Sequence, residues 1–177
     1  MTPALVRSRR LTAALALSAT ATLTGCSLGG DSTLPPYSDP ATQTYNANTG
    51  VTIANMTRVN EHVYQEDVVV GTGRVVAVGD SISVYYSGRL AGGFQFDARA
   101  RPSTPFVAKL DSFNLIKGWV VGLAGMRVGG TRRLAIGPES AYRYSTVRDV
   151  AGNIIIPPNS VLAFEVEVTA ATSAPPQ

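Results

Sequence analysis

The chain has 177 residues, 45% of them hydrophobic and 15% charged, with a formal net charge of +3, a composition that fits one globular domain with one or two tails. Arg7, Arg9 and Arg10 account for this positive charge, so the rest of the chain lacks the basic surface of a nucleic-acid-binding protein. One histidine and one cysteine cannot supply the roughly four ligands of a structural zinc site, nor an intramolecular disulfide. We therefore expect no metal, no cofactor and no nucleic-acid partner.

The first 25 residues have the pattern of a secretory signal peptide. A short basic region is followed by an uncharged stretch rich in Ala, Leu and Thr over residues 11–23, which is shorter than the ~20 residues of a membrane span. An N-terminal amphipathic or buried helix is the alternative, although this stretch has no polar face.

Residues 23–26, Leu-Thr-Gly-Cys, resemble the lipobox of bacterial lipoproteins, in which the cysteine carries lipid. We therefore expect residues 1–25 to be a lipoprotein signal peptide and Cys26 to be lipidated. Several acyl chains on one residue hold a protein durably on a membrane. This interpretation places the protein outside the cytoplasm in the cell envelope, anchored to a membrane by lipid.

Residues 26–48 are rich in Gly, Ser, Pro, Thr, Asp and Asn and show no apolar periodicity. The prolines at 35, 36 and 40 would break a helix. We expect this segment to be a flexible linker that leads to one domain over residues 49–169. Residues 170–177, which end in Ala-Pro-Pro-Gln, are predicted to be a disordered tail.

Alternating hydrophobicity predicts β-strands across the domain. Four segments show it: residues 81–86, 106–110, 131–136 and 162–168. A single helix is predicted near residues 115–125, where Leu115, Trp119, Leu123 and Met126 form one apolar stripe. The fold class is therefore α+β, with an antiparallel sheet of about five strands half-wrapped around one short helix.

Short motifs in this domain are more specific than the periodicity. They are, in chain order, Val84-Tyr85-Tyr86-Ser87-Gly88, Gly93-Phe94-Gln95-Phe96-Asp97, Pro105-Phe106, Ile116-Lys117-Gly118-Trp119, Ala141-Tyr142 and Ile155-Ile156-Pro157-Pro158. Together they resemble the FKBP-type peptidyl-prolyl cis-trans isomerases. The resemblance extends over the whole predicted domain and implies an enzyme that isomerises X-Pro bonds.

The resemblance also implies a proline-binding pocket between the sheet and the helix. The residues that match the family's catalytic positions are Tyr86, Phe96, Asp97, Ile116, Trp119 and Tyr142, and those that match its other pocket positions are Phe106, Leu115, Ile156 and Phe164. In the family pattern Trp119 forms the pocket floor and Asp97 pairs with a tyrosine hydroxyl, here that of Tyr86. The N–H of Ile116 and the hydroxyl of Tyr142 hold the substrate carbonyls.

Rotation about a peptide bond has a barrier of ~18–20 kcal/mol because resonance must be broken, but it moves no proton. A dry aromatic pocket can favour the twisted amide, so an isomerase of this kind needs neither a catalytic histidine nor a catalytic cysteine. We expect a monomeric folding helper that acts on prolyl segments of exported proteins. The alternative is that these aromatic residues are ordinary residues of the hydrophobic core. Phe94, Phe113 and Tyr144 are assigned to the core or the surface.

Two departures from the family pattern keep a second function open. Ala108 stands where many members have phenylalanine, and Arg143 stands where glycine is usual. A non-catalytic module that binds prolyl segments or unfolded chains is therefore the alternative. The long loop over residues 143–154, with Tyr144, Arg148 and Asp149, is predicted to overhang the pocket and influence substrate choice. His62 is predicted to be an exposed strand residue without a metal or catalytic role.

Overall fold

A computed structural model describes residues 34–173 of the chain. The predicted signal peptide, Cys26 and the last four residues lie outside the described residues. By their contacts, residues 35–173 belong to one compact unit. No helix in the described part of the chain is long and apolar enough to cross a membrane.

The described chain contains nine strands and one α-helix. They are β1 (Thr57–Asn60), β2 (Val63–Val69), β3 (Ser81–Leu90), β4 (Gln95–Arg99), β5 (Phe106–Lys109), α1 (Lys117–Leu123), β6 (Thr131–Ile136), β7 (Val147–Arg148), β8 (Ile154–Ile156) and β9 (Leu162–Thr172). Seven of them form one antiparallel sheet in the order β1-β2-β6-β9-β3-β4, with β5 also paired to β3. The predicted α+β class is confirmed, with seven strands in the sheet rather than about five.

Strand β3 organises the part of the sheet that matters for the site. It pairs with β9 along its full length, from Ser81 to Leu90. Its other edge is shared: β5 pairs with the first half, where Val84 lies opposite Phe106, and β4 with the second, where Gly88 lies opposite Asp97. This arrangement brings β4 and β5 to the same side of Tyr86.

The core lies between one face of the sheet and α1. Ile82 and Val84 of β3 are fully buried, as the alternating pattern predicts, and the inward residues of β6 and β9 join them. The helix begins at Lys117 and ends at Leu123, shorter than predicted. Gly125, with φ 79°, follows and ends it.

Glycine brings α1 close to the sheet. A Cβ atom at Gly118 would lie 2.7 Å from Cδ1 of Ile136 on β6, and one at Gly122 would lie 2.7 Å from Cδ2 of Leu134. Both distances are far below van der Waals contact. The two glycines therefore let the helix seat Trp119 deep against the sheet.

The segment predicted to be a flexible linker packs on the domain where the structure describes it. Residues 35–49, which extend one residue past the predicted linker, are called the N-terminal strap and contain two short 3-10 turns, Pro40–Thr42 and Ala47–Thr49. Asn46 N–H donates to the carbonyl of Ala91 at 2.9 Å, and the side chain of Asn48 donates to the carbonyl of Gly93 at 3.2 Å. Polar residues without periodicity are ordered here because their amide groups satisfy turns of the domain.

Two further expectations are corrected. Residues 170–172, assigned to a disordered tail, belong to β9, because Thr172, Ala171 and Ala170 continue the pairing with the start of β3. His62 lies in the turn between β1 and β2 rather than in a strand. It is half-buried rather than exposed, and its Nε2 is 2.7 Å from Oε2 of Glu139.

Candidate active site

A cavity of about 360 Å³ opens beside α1 and strands β3 and β5, in the size range of small-molecule and peptide side-chain pockets. It is lined by Tyr86, Asp97, Phe106, Phe113, Asn114, Leu115, Ile116, Trp119, Tyr142 and Phe164. Aromatic and aliphatic side chains therefore dominate its wall, and a few polar groups interrupt it.

The floor of the cavity is the indole ring of Trp119. Its ring centroid lies 5.2 Å from that of Tyr86 and 5.3 Å from that of Phe164, at interplanar angles of 86° and 83°. The ring of Phe106 crosses it at 6.5 Å and 78°. Near-perpendicular packing is the arrangement that aromatic quadrupoles favour, so these rings hold the floor rigidly.

The indole nitrogen of Trp119 is buried and has no hydrogen-bond partner among the described residues. An unpaired buried donor costs about 1–3 kcal/mol. Most buried polar groups are satisfied, and exceptions are typical of functional sites. Placing the indole of Trp119 at the floor of this cavity therefore lowers the free energy of unfolding.

One polar pair stands in the wall. The hydroxyl of Tyr86 donates to Oδ2 of Asp97 at 2.6 Å. Burial and this hydrogen bond raise the pKa of Tyr86 well above its ordinary value. The hydroxyl therefore stays protonated across the physiological range and remains a fixed donor.

Two donors reach the cavity from its rim. Burial, with the nearby charge of Asp97, raises the pKa of Tyr142, so its hydroxyl stays protonated. Ile116 directly precedes α1 with an extended backbone, ψ 146°, and its carbonyl accepts from Trp119 N–H at 3.0 Å. Its own N–H donates to no acceptor in residues 34–173. A hydroxyl and a backbone amide are therefore available at the mouth.

The structure brings eight of the ten predicted site residues together around the cavity. They are Tyr86, Asp97, Phe106, Leu115, Ile116, Trp119, Tyr142 and Phe164. Phe96 lies behind the wall, where its ring packs on Phe164 at 5.6 Å and 84°. Ile156 is buried in the core rather than exposed to the cavity.

Sequence reasoning missed Phe113 and Asn114, which complete the lining. The available signal was weak: an aromatic residue in a polar turn just ahead of the predicted helix.

The long loop has a structure of its own. Strands β7 and β8 pair as a small hairpin, and the Asp149 carboxylate closes its turn by accepting from the N–H groups of Ala151 and Asn153 at 2.9 and 2.8 Å. Arg148 donates to the carbonyl of Gly152. None of residues 143–154 lines the cavity.

Tyr144 contacts the N-terminal strap instead of the pocket. Its ring stacks on that of Tyr37 with centroids 4.8 Å apart, and its hydroxyl donates to the carbonyl of Pro35. The loop is therefore tied to the strap through Tyr144.

Residues 73–169 match the model of the FKBP-type peptidyl-prolyl cis-trans isomerase family. This match covers more than half of the chain, so the chain belongs to that family. The resemblance that the motifs indicate is confirmed, as is the expected isomerase class.

Individual relatives agree. The chain is 41% identical over 111 residues to FK506-binding protein 4 of Chaetomium thermophilum, a match that covers 63% of this chain and 22% of that protein. It is 40% identical over 98 residues to FK506-binding protein 1 of Dictyostelium discoideum, covering 55% of this chain and 87% of that one. A solved peptidyl-prolyl isomerase from Pseudomonas syringae superposes with a TM-score of 0.59 at 28% identity, covering 72% and 87% of the two chains.

The predicted location, a lipid anchor in the cell envelope, is corrected by these relatives. Both FK506-binding proteins above are eukaryotic, and a 46 kDa FK506-binding protein of Spodoptera frugiperda, 39% identical over 103 residues, is named as nuclear. The prediction depended on the signal-peptide pattern of residues 1–25 and on the four-residue motif ending at Cys26, and these relatives do not support it.

Proposed function

We propose that this cavity catalyses cis-trans isomerisation of X-Pro bonds in unfolded polypeptides, with the proline ring over Trp119. The observation that carries the proposal is the rigid, nearly perpendicular packing of three rings around that indole. This chain alone supplies the floor, the wall and the two rim donors of the cavity, which supports a monomer as the unit that acts. Action on exported proteins was tied to the corrected location and forms no part of this proposal.

The proposed roles follow from the chemistry of amide rotation. A twisted amide loses its resonance dipole, so a dry aromatic floor favours it over the planar, better-solvated ground state. The Ile116 N–H and the Tyr142 hydroxyl orient the flanking carbonyls, and the pair of Tyr86 and Asp97 fixes the wall. No group has to change protonation, so kcat/KM should be nearly flat between about pH 6 and 8.

The test measures isomerisation of a prolyl tetrapeptide by protease-coupled or NMR exchange assay. Tyr142→Phe removes one hydrogen bond and should lower kcat/KM by up to about tenfold. Trp119→Leu should lose most activity while it remains folded by circular dichroism. Tyr85→Phe is the control, because Tyr85 lies next to Tyr86 on the opposite face of β3 and its hydroxyl donates to the carbonyl of Ser103, outside the cavity. Full activity in Trp119→Leu would contradict the proposal.

A non-catalytic binding module is the second candidate, and Ala108 favours it. This small residue lies half-buried on β5, in line with Phe106, so the wall is thinner there. Arg143 does not add to this case: it adopts φ 55°, the left-handed conformation that glycine favours, and the Asn159 N–H holds its carbonyl at 2.7 Å. Saturable binding of a prolyl peptide without faster exchange would support the second candidate.

A further inference from the structure

Phe113 is an aromatic side chain at the mouth of the cavity that the mechanism above does not use. Its side chain is 96% exposed although it lines the same cavity as Trp119. Burying a phenylalanine is worth about 1.5–3 kcal/mol, so at this position the folded protein gains almost none of that. A single exposed apolar residue is ordinary on a surface, but this one continues an apolar wall.

The backbone that carries Phe113 is fixed. Oδ1 of Asp111 accepts from the N–H of Phe113 at 3.1 Å and from the N–H and side chain of Asn114 at 3.0 and 2.7 Å. The Leu115 N–H donates to the carbonyl of Asp111 at 3.1 Å, which joins this turn to the start of α1. The ring is therefore presented from an ordered turn, and a ligand that contacts it need not order the backbone first.

We propose that Phe113 forms an outer subsite that takes an apolar side chain next to the proline of the polypeptide substrate. This inference rests on the proposed function. Consecutive Cα atoms are about 3.8 Å apart, so a chain whose proline fills a cavity of this size carries its neighbouring side chains at the mouth. There, an aliphatic or aromatic side chain covers the exposed ring, whereas a charged one loses hydration without gaining a partner.

The test uses the full chain and two tetrapeptide series in which the residue before or after proline is Leu, Phe, Ala or Glu. In Phe113→Ala, kcat/KM should fall about two- to tenfold for the Leu and Phe peptides of one series, the range expected for one aromatic contact. The Ala and Glu peptides should change less than about twofold, and the loss should lie in KM because ground state and transition state share this contact.

Two further variants sharpen the result. Phe94→Ala is the matched control, since Phe94 is 54% exposed and does not line the cavity, and it should match wild type throughout. Phe113→Leu should keep the preference for apolar neighbours. An equal fall over both series, or no change in either, would overturn the subsite. A wild-type protein inactive on every peptide would instead refute the proposed function.

Discussion

The hydroxyl of Tyr86 and Oδ2 of Asp97 lie 2.6 Å apart and join strands β3 and β4 in the wall of the cavity. The strand register explains the pair: Asp97 lies opposite Gly88, two residues beyond Tyr86, so the two side chains are diagonal neighbours on one face. The absence of a side chain at Gly88 leaves room for the rings of Phe96 and Phe164, because a Cβ at Gly88 would lie 2.8 Å from atoms of both rings.

The raised pKa of Tyr86 predicts a loss of stability at alkaline pH. Burial and the bond to Asp97 disfavour the phenolate in the folded state, whereas the unfolded chain ionises near pH ~10. The stabilising contribution is therefore complete below about pH 10 and is lost as the pH rises above it. Thermal unfolding followed from pH 8 to 11 should show a shallower fall in Tm for Tyr86→Phe. An unchanged slope would contradict this.

Gly118→Ala should destabilise the protein although alanine favours helix by about 1 kcal/mol. The added methyl group would overlap Ile136, which is fully buried and cannot move aside. Overpacking of this kind costs about 1–3 kcal/mol. Urea unfolding measures the change, and Gly92→Ala is the control because nothing lies within 4 Å of its Cβ position. Equal stability of both variants would refute the close approach of helix and sheet.

Arg132→Lys should cost stability even though it keeps the charge. The Arg132 side chain is 5% exposed and binds both oxygens of Asp67, at 2.7 and 3.0 Å, and the carbonyl of Gly122 at 2.8 Å. Lysine cannot make this two-pronged contact, and the hydrogen bonds that are lost at this buried side chain should cost about 1–3 kcal/mol. Arg133→Lys, at a side chain that is 26% exposed, should change the free energy of unfolding by less than about 1 kcal/mol. Similar losses in both variants would contradict this.

Asn159→Gly should loosen the N-terminal strap, because it removes two hydrogen bonds that hold the strap to the turn between β8 and β9. The Asn159 side chain accepts from Ser38 N–H at 2.9 Å and donates to the Pro36 carbonyl at 3.3 Å. Its φ of 58° suits glycine, so the variant removes these contacts without backbone strain.

Hydrogen exchange should then become faster in residues 35–42 and 143–148, and stability should fall by about 1–2 kcal/mol. Asn55→Gly, in an exposed 3-10 turn, is the control. Exchange that is unchanged in both segments would show that the strap is held by other contacts.

The sequence predicts the centre of this molecule better than its edges. Strands β3 and β9 bury one face, so Ile82, Val84 and Val166 repeat with the period of a strand. Strand β1 is exposed at all four positions and is held by backbone pairing, which leaves no apolar pattern to detect. The ordered structure of the N-terminal strap was not predicted for the same reason, because its sequence has no apolar pattern.

The candidate site shows the same division. Residues that match family motifs were predicted and mostly meet at the cavity, and the roles assigned to them stay predictions. Phe113 escaped because its place at the mouth depends on a turn closed by Asp111 rather than on any periodic signal. Ile156 was placed in the pocket by its motif, but packing draws it into the core.

The position of β9 in the sheet has a consequence for biosynthesis. This strand is made after all the others, yet it lies between β6 and β3 and joins the two halves of the sheet. A chain still on the ribosome, lacking residues 162–172, leaves an edge of β3 and an edge of β6 unpaired, and unpaired edges invite association with other chains. Folding of this sheet must therefore wait until β9 has been synthesised, and it depends on contacts distant in sequence, which makes it slow. A member of the FKBP-type isomerase family is thus itself a late folder.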